Sequence, residues 1–193
     1  MEKVKAVYIH NPKTAGKTLY KSLAPVVVRA RHLHNSIPKH CTASYYVESK
    51  WYNPDLPMIS STRNPWARAV SLFRYLRSIN KISNKISFEK WLYNPKAPGH
   101  CLDPYDRNPL QLETFVKDPE GNTLVSHIIR LEDLHEDYKN ISEELGLPVL
   151  KIKTYKSSLN GKGKNFREMY TPEMVDYIAE LCKWEIETFG YSF

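Results

Sequence analysis

The sequence predicts an α/β fold: a single domain, residues 1–193, with a mainly parallel central sheet flanked by helices. Three observations predict it. Strand-length runs rich in β-branched residues alternate with stretches of helical period, the order from which parallel sheets are built. The 193 residues, 41% hydrophobic and 25% charged, suit one domain with a sizeable core. No internal repeat divides the chain.

Lys3 to His10 (KVKAVYIH) reads as a buried strand. The loop Asn11 to Gly16 follows, then a helical stretch from about Lys17 to Leu23 that stops near Pro25. Val26 to Leu33 is predicted as a second strand and Pro57 to Thr62 as a short third. The next helix has the clearest start in the chain. Asn64 can cap it, and Pro65 fits its first turn because proline lacks the N–H that would be orphaned there. Trp66, Ala69, Val70, Phe73 and Leu76 make its apolar stripe, with Arg68, Ser71 and Tyr75 assigned to a more polar face. A loop-rich insertion at about 94–123, punctuated by Pro95, Pro98, Pro104, Pro109 and Pro119, reads as a lid or acceptor-side segment. Leu124 to Leu131 returns to strand, a helix from about Glu132 to Leu145 ends at Gly146, and Val149 to Ile152 is a last strand. Thr171 and Pro172 then start a final helix to about Phe189, closed by Gly190.

The 28 Lys and Arg against 21 Asp and Glu leave a net charge of +7, which favours an anionic partner without choosing among nucleotide, acidic polymer and nucleic acid. Aromatic RNA-binding strand signatures are absent, and no nucleic acid is expected. Three cysteines give no disulfide framework, and the N-terminal residues run straight into a strand rather than a leader. No stretch approaches the roughly 20 apolar residues that cross a bilayer. A cytoplasmic protein without a membrane span is expected. The pairs His40-Cys41 and His100-Cys101 are adjacent residues, poor zinc-ligand spacing, and no CxxC occurs, so no metal is expected.

The strongest local signal is HNPKTAGKT, residues 10–18, between a strand and a helix. Such a loop points successive backbone N–H groups at one spot, backed by the positive end of the helix dipole. Gly16 permits close backbone approach, Lys13 and Lys17 supply charge, and Thr18 can donate a hydroxyl. An anion site follows, against the plainer reading of a basic, solvated turn. Gly16-Lys17-Thr18 mimics the end of a Walker A motif, but Asn11 stands where that motif's first glycine belongs and Pro12 restricts the loop. The PMISST strand also runs into Arg63, so an acid placed to hold magnesium at a strand end is hard to find.

Arg63 leaves the third strand just before the helix cap, and Ser71 lies eight residues later. An arginine offers bidentate phosphate contacts and a serine a neutral donor. Together with the first loop, these elements resemble the sulfotransferase family, specifically its carbohydrate-type branch. PKTAGKT is similar to that family's loop for a 5′-phosphosulfate, and STRNPWARAVSLFRY to its element for a 3′-phosphate. The likeness continues through IIRLEDL, the YTPE helix start and the FGYSF terminus, and is weakest in the proline-rich middle. The resemblance implies a P-loop NTPase-like fold and a donor, 3′-phosphoadenosine-5′-phosphosulfate, held at both phosphates with no metal required. It implies that Lys13 neutralises the leaving phosphate, and that the loop residues Thr14, Ala15, Gly16, Lys17 and Thr18 hold the 5′ end. Arg63 and Ser71 would hold the 3′-phosphate. Lys156 departs from the asparagine that relatives carry near the donor, so only Ser158 of that element is carried over. The implied acceptor is a hydroxyl, with carbohydrate the family-level expectation.

An acceptor hydroxyl needs a general base near neutral pH, and histidine is the natural candidate. His40 opens a segment that resembles a His-x-x-Ala element of bacterial relatives. His34 and a carboxylate such as Glu132 remain alternatives. His10 reads as a loop-positioning donor and His127 as a satisfied core residue. Two rival functions stay open at this point: a magnesium-dependent kinase using Lys17 and Thr18, and a non-catalytic polyanion binder.

Overall fold

Short apolar runs place β1, Ala6–Tyr8, inside a four-stranded parallel sheet of order β2-β1-β3-β4. The other strands are β2, Val27–Arg29; β3, Met58–Thr62; and β4, His127–Arg130. Registers are Ala6 against Val27, Tyr8 against Ile59 and Ile59 against His127. This computed structural model describes residues 4–16, 19, 26–35, 37, 40–99, 108–147 and 165–193. Two compact units make up the chain: Met1–Thr62 with Glu113–Tyr155, and Arg63–Leu112 with Lys156–Phe193.

The first unit holds the whole sheet. From β1 the chain steps to β2 on one side and returns to β3 on the other, so the strand order reverses between β1 and β3. In parallel sheets the crevice beyond the carboxyl ends at such a point is where ligands bind. Helices α1, Ala30–Leu33; α2, Ala43–Val47; α5, Glu113–Val116; and α6, Leu134–Glu144 belong to this unit. Tyr138 and Ile141 of α6 pack into one core with Tyr8, Val27, Ile59 and Ile129 of the sheet.

The second unit is built on α3, Pro65–Ser78, with α4, Phe88–Leu92; a 3-10 turn, Phe166–Met169; α7, Pro172–Leu181; and α8, Lys183–Phe189. Asn64 caps α3 as the sequence predicts, its side chain accepting from the Ala67 amide at 3.1 Å. All five stripe residues of α3 are buried, against Phe88, Trp91 and Ile178 among others. Phe193 packs edge-on to Trp66 and Tyr170, seating the chain's last residues on the start of α3.

Several elements differ from the sequence reading. The second strand ends at Arg29, and Ala30–Leu33 turns helical. The short helices α2 and α4 escaped prediction because five residues hold barely one turn of period; each is started by a hydroxyl cap, Thr42 and Ser87. Within the 94–123 insertion lie α5 and a turn closed by Lys117 and Thr123. The final helix breaks at Cys182. Arg68 is fully buried rather than on a polar face, because Glu185 meets it at 2.5 Å. Val149–Ile152 lies outside the described residues. Among the described residues no helix is long and apolar enough to cross a membrane.

Candidate functional site

The β1 strand delivers its loop to the sheet's carboxyl edge, at the point where the strand order reverses. There the backbone does something side-chain-bearing residues avoid: Lys13 and Ala15 take left-handed conformations, φ 66° and 59°. Each costs roughly 1–2 kcal/mol without glycine, so the surrounding contacts must hold them. Left-handed residues either side of a residue that is not left-handed build a concavity that gathers amide hydrogens toward an anion.

The contacts that hold the loop are donors aimed at its carbonyls. Ser60 Oγ donates to Ile9 O at 2.9 Å and Thr14 Oγ1 to Asn11 O at 2.8 Å. Ser61 Oγ donates to Thr14 O at 3.1 Å, the Leu19 amide to Ala15 O at 3.1 Å, and the buried Arg29 guanidinium to Gly16 O at 3.1 Å. His40 Nδ1 lies 3.2 Å from His10 O. Six carbonyls of the segment 9–16 are thus committed to the protein. Most acceptors of the segment are thereby taken up, the condition under which a loop can turn its donors toward an oxyanion.

Three buried hydroxyls tie this loop to the sheet. Tyr8 Oη and Thr14 Oγ1 each lie 2.6 Å from Ser61 Oγ. The hydroxyl protons of Thr14 and Ser61 are shared among Asn11 O, Thr14 O and the 2.6 Å contact between the two oxygens; when Ser61 gives its proton to Thr14 O, its own oxygen accepts from Tyr8. Burial pushes the Tyr8 hydroxyl up to about 12, which keeps its proton in place for that task.

Gly16 is a packing necessity. A Cβ there would lie 2.2 Å from the His10 ring. The same His10 meets His40, ring centroids 4.5 Å apart. Since His40 Nδ1 faces a carbonyl, it carries the proton, and the basic lone pair of the neutral ring falls on Nε2. Lys13, Thr14, Ala15, Gly16 and His40 are thus brought together. The Thr14 hydroxyl is fully buried and turned inward, 2.8 Å from Asn11 O. His34 is exposed and stacked on Trp51 at 4.2 Å. His127 bonds Ser126 Oγ at 2.9 Å and Glu144 at 3.0 Å. Glu132 is exposed just beyond β4.

A solved structure has the same chain path. A crystal structure of a sulfotransferase from Alicyclobacillus acidocaldarius matches over 100% of this chain and 98% of its own, with a TM-score of 0.53 and 14% sequence identity. This chain shares a sulfotransferase's fold. No family model matches the sequence, and neither does any curated protein.

Lys13–Gly16 is the turn between β1 and the helical bond from Leu19 to Ala15. The residues expected from the sequence to hold a second anion, Arg63 and Ser71, belong to the other unit. Arg63 is half-buried just before the Asn64 cap, and Ser71 is half-buried on α3, about 9 Å of helix rise beyond Pro65. Lys17, Thr18 and Ser158 lie outside the described residues. Tyr8, Arg29 and Ser61 are the residues the sequence reading missed. Their only sequence signal is polarity inside strands otherwise apolar, with partners as far as 53 positions away. Among the described residues no three His, Cys, Asp or Glu side chains stand together as a metal cluster.

Proposed function

We propose that the chain is a sulfotransferase that moves a sulfuryl group from 3′-phosphoadenosine-5′-phosphosulfate to an acceptor hydroxyl, a carbohydrate hydroxyl by family resemblance. The observation that carries this reading is the Lys13–Gly16 loop, left-handed at two residues and with its carbonyls tethered away. A loop whose acceptors are mostly taken up by the protein fits a phosphosulfate. Gly16 lets the loop backbone lie directly against the His10 ring, where a Cβ would stand 2.2 Å from it.

The donor supplies a sulfuryl group carried on a phosphate leaving group. Lys13 and the amides of Thr14, Ala15 and Gly16 stabilise charge on that phosphate as the sulfur–oxygen bond to it breaks. His40 Nε2 takes the proton of the acceptor hydroxyl as its oxygen bonds to sulfur, and the adenosine bisphosphate leaves. The protein's work is placement and charge stabilisation. No step calls on a metal ion. Lys17 and Thr18 extend the 5′ grip in this reading, Arg63 and Ser71 take the 3′-phosphate, and Ser158 adds a donor contact, all by sequence resemblance. We place the protein in the cytoplasm, in line with three cysteines, an odd number that gives no disulfide framework.

The test is equilibrium binding of adenosine 3′,5′-bisphosphate against AMP by calorimetry. Tight binding of the bisphosphate is expected, with Arg63→Ala reducing the preference roughly tenfold or more. Equal affinity for the two nucleotides overturns the reading.

A further inference from the structure

The hydroxyl chain under the loop lies outside any role assigned above. Tyr8, Ser61 and Thr14 are all at most 1% exposed, on two strands and the loop, and Ser61 Oγ lies 2.6 Å from both other hydroxyls and within donating distance of Thr14 O, at 3.1 Å. A buried serine in a strand core gains little from packing, and an alanine there would avoid burying a hydroxyl. Ser61 does, however, hold the one residue, Thr14, that stands between the two left-handed positions. Releasing Thr14 O would let that carbonyl rotate toward the ligand side and let Lys13 and Ala15 relax toward ordinary backbone, presenting an acceptor where an anion needs donors.

We propose that Ser61 is a positioning residue for the 5′ anion: its hydroxyl, oriented by Tyr8, locks the Thr14 carbonyl inward and thereby sets the affinity of the Lys13–Gly16 loop for a phosphate-type oxyanion. The proposal rests on the reading of that loop as the donor's 5′ site, and it assigns the control of that site to β3.

The experiment compares wild type with Ser61→Ala using three probes: adenosine 3′,5′-bisphosphate, adenosine 3′-monophosphate and inorganic pyrophosphate. Ser61→Ala is expected to weaken the bisphosphate and pyrophosphate roughly tenfold, while the 3′-monophosphate, which has no 5′ group to meet the loop, changes less than about twofold. Ser61→Thr, which keeps the hydroxyl, should restore most of the loss. Equal weakening of all three probes means general damage and overturns the proposal, as does unchanged affinity for all three. A wild type that shows no bisphosphate preference, but whose pyrophosphate affinity falls with Ser61→Ala, overturns the sulfotransferase reading and leaves the role of Ser61 standing. If Ser61→Ala does not fold, Ser61→Cys replaces the hydroxyl with a poor donor of similar shape, and the same three-probe comparison decides.

Discussion

A histidine that gives its Nδ1 proton to a main-chain carbonyl keeps its basic lone pair on Nε2, and His40 stands in that relation to His10 at 3.2 Å. The orientation comes from backbone, so the substitution His40→Ala removes the proposed base and, of the loop's six tethered carbonyls, releases only His10 O. Turnover should fall by about two to four orders of magnitude while bisphosphate affinity stays near wild type; steady-state sulfation rates and calorimetry check both halves. Near-wild-type turnover would pass the role to His34 or to an acid such as Glu132. The loop itself was legible in the sequence, because glycine and lysine at a strand-to-helix junction have few other uses. Ser61 was not legible. Its meaning lies in contacts 47 and 53 positions distant, and sequence periodicity carries no information about those.

Helix α3 shows what period and caps can and cannot reveal. Its start, its proline and its apolar stripe follow from spacing alone. Arg68 sits one position off the stripe and reads as solvent-facing, yet it is sealed in by Glu185, by the Leu110 carbonyl at 2.5 Å and by Cys182. The break at Cys182, whose thiol donates to that same carbonyl at 2.9 Å, accompanies the inward turn of Glu185. Nothing local announces an ion pair between residues 117 apart. Glu185→Ala leaves the Arg68 charge buried and uncompensated, and should cost about 3–5 kcal/mol in chemical denaturation. The double replacement Arg68→Met with Glu185→Leu should recover most of that loss, since neither charge is then stranded.

At the scale of the molecule, the alternation of strand and helix was enough to foresee a parallel sheet, because crossovers leave few other options. The order β2-β1-β3-β4 was not foreseeable, since the residue pattern does not say on which side of β1 each later strand pairs. The buried phenols give the whole protein a characteristic response to alkali. Burial raises the Tyr8 hydroxyl to about 12 and shifts those of Tyr46, Tyr138 and Tyr170 in the same direction. An unfolded tyrosine ionises near pH ~10, so above that point the unfolded chain sheds protons that the native one keeps. Stability is then fully present below about pH 10 and is lost as the pH climbs toward 12, by up to ~1.4 kcal/mol per pH unit from Tyr8 alone. Urea unfolding followed across that window, with tyrosinate absorbance as the second signal, should show both changes together. A loss of stability that instead begins near neutral pH would contradict this account.

Because all four strands run the same way, the sheet has a working rim and a silent one. The chain enters β4 by way of the Asp118–Asn122 turn, from the silent rim, and Gly121 at its tip has no atom within 4 Å of where a side chain would begin. With φ 89° the glycine itself resists a side chain, so its exposed neighbour Glu120 is the natural handle: a fluorophore attached through Glu120→Cys would ride on that turn and report on its stability.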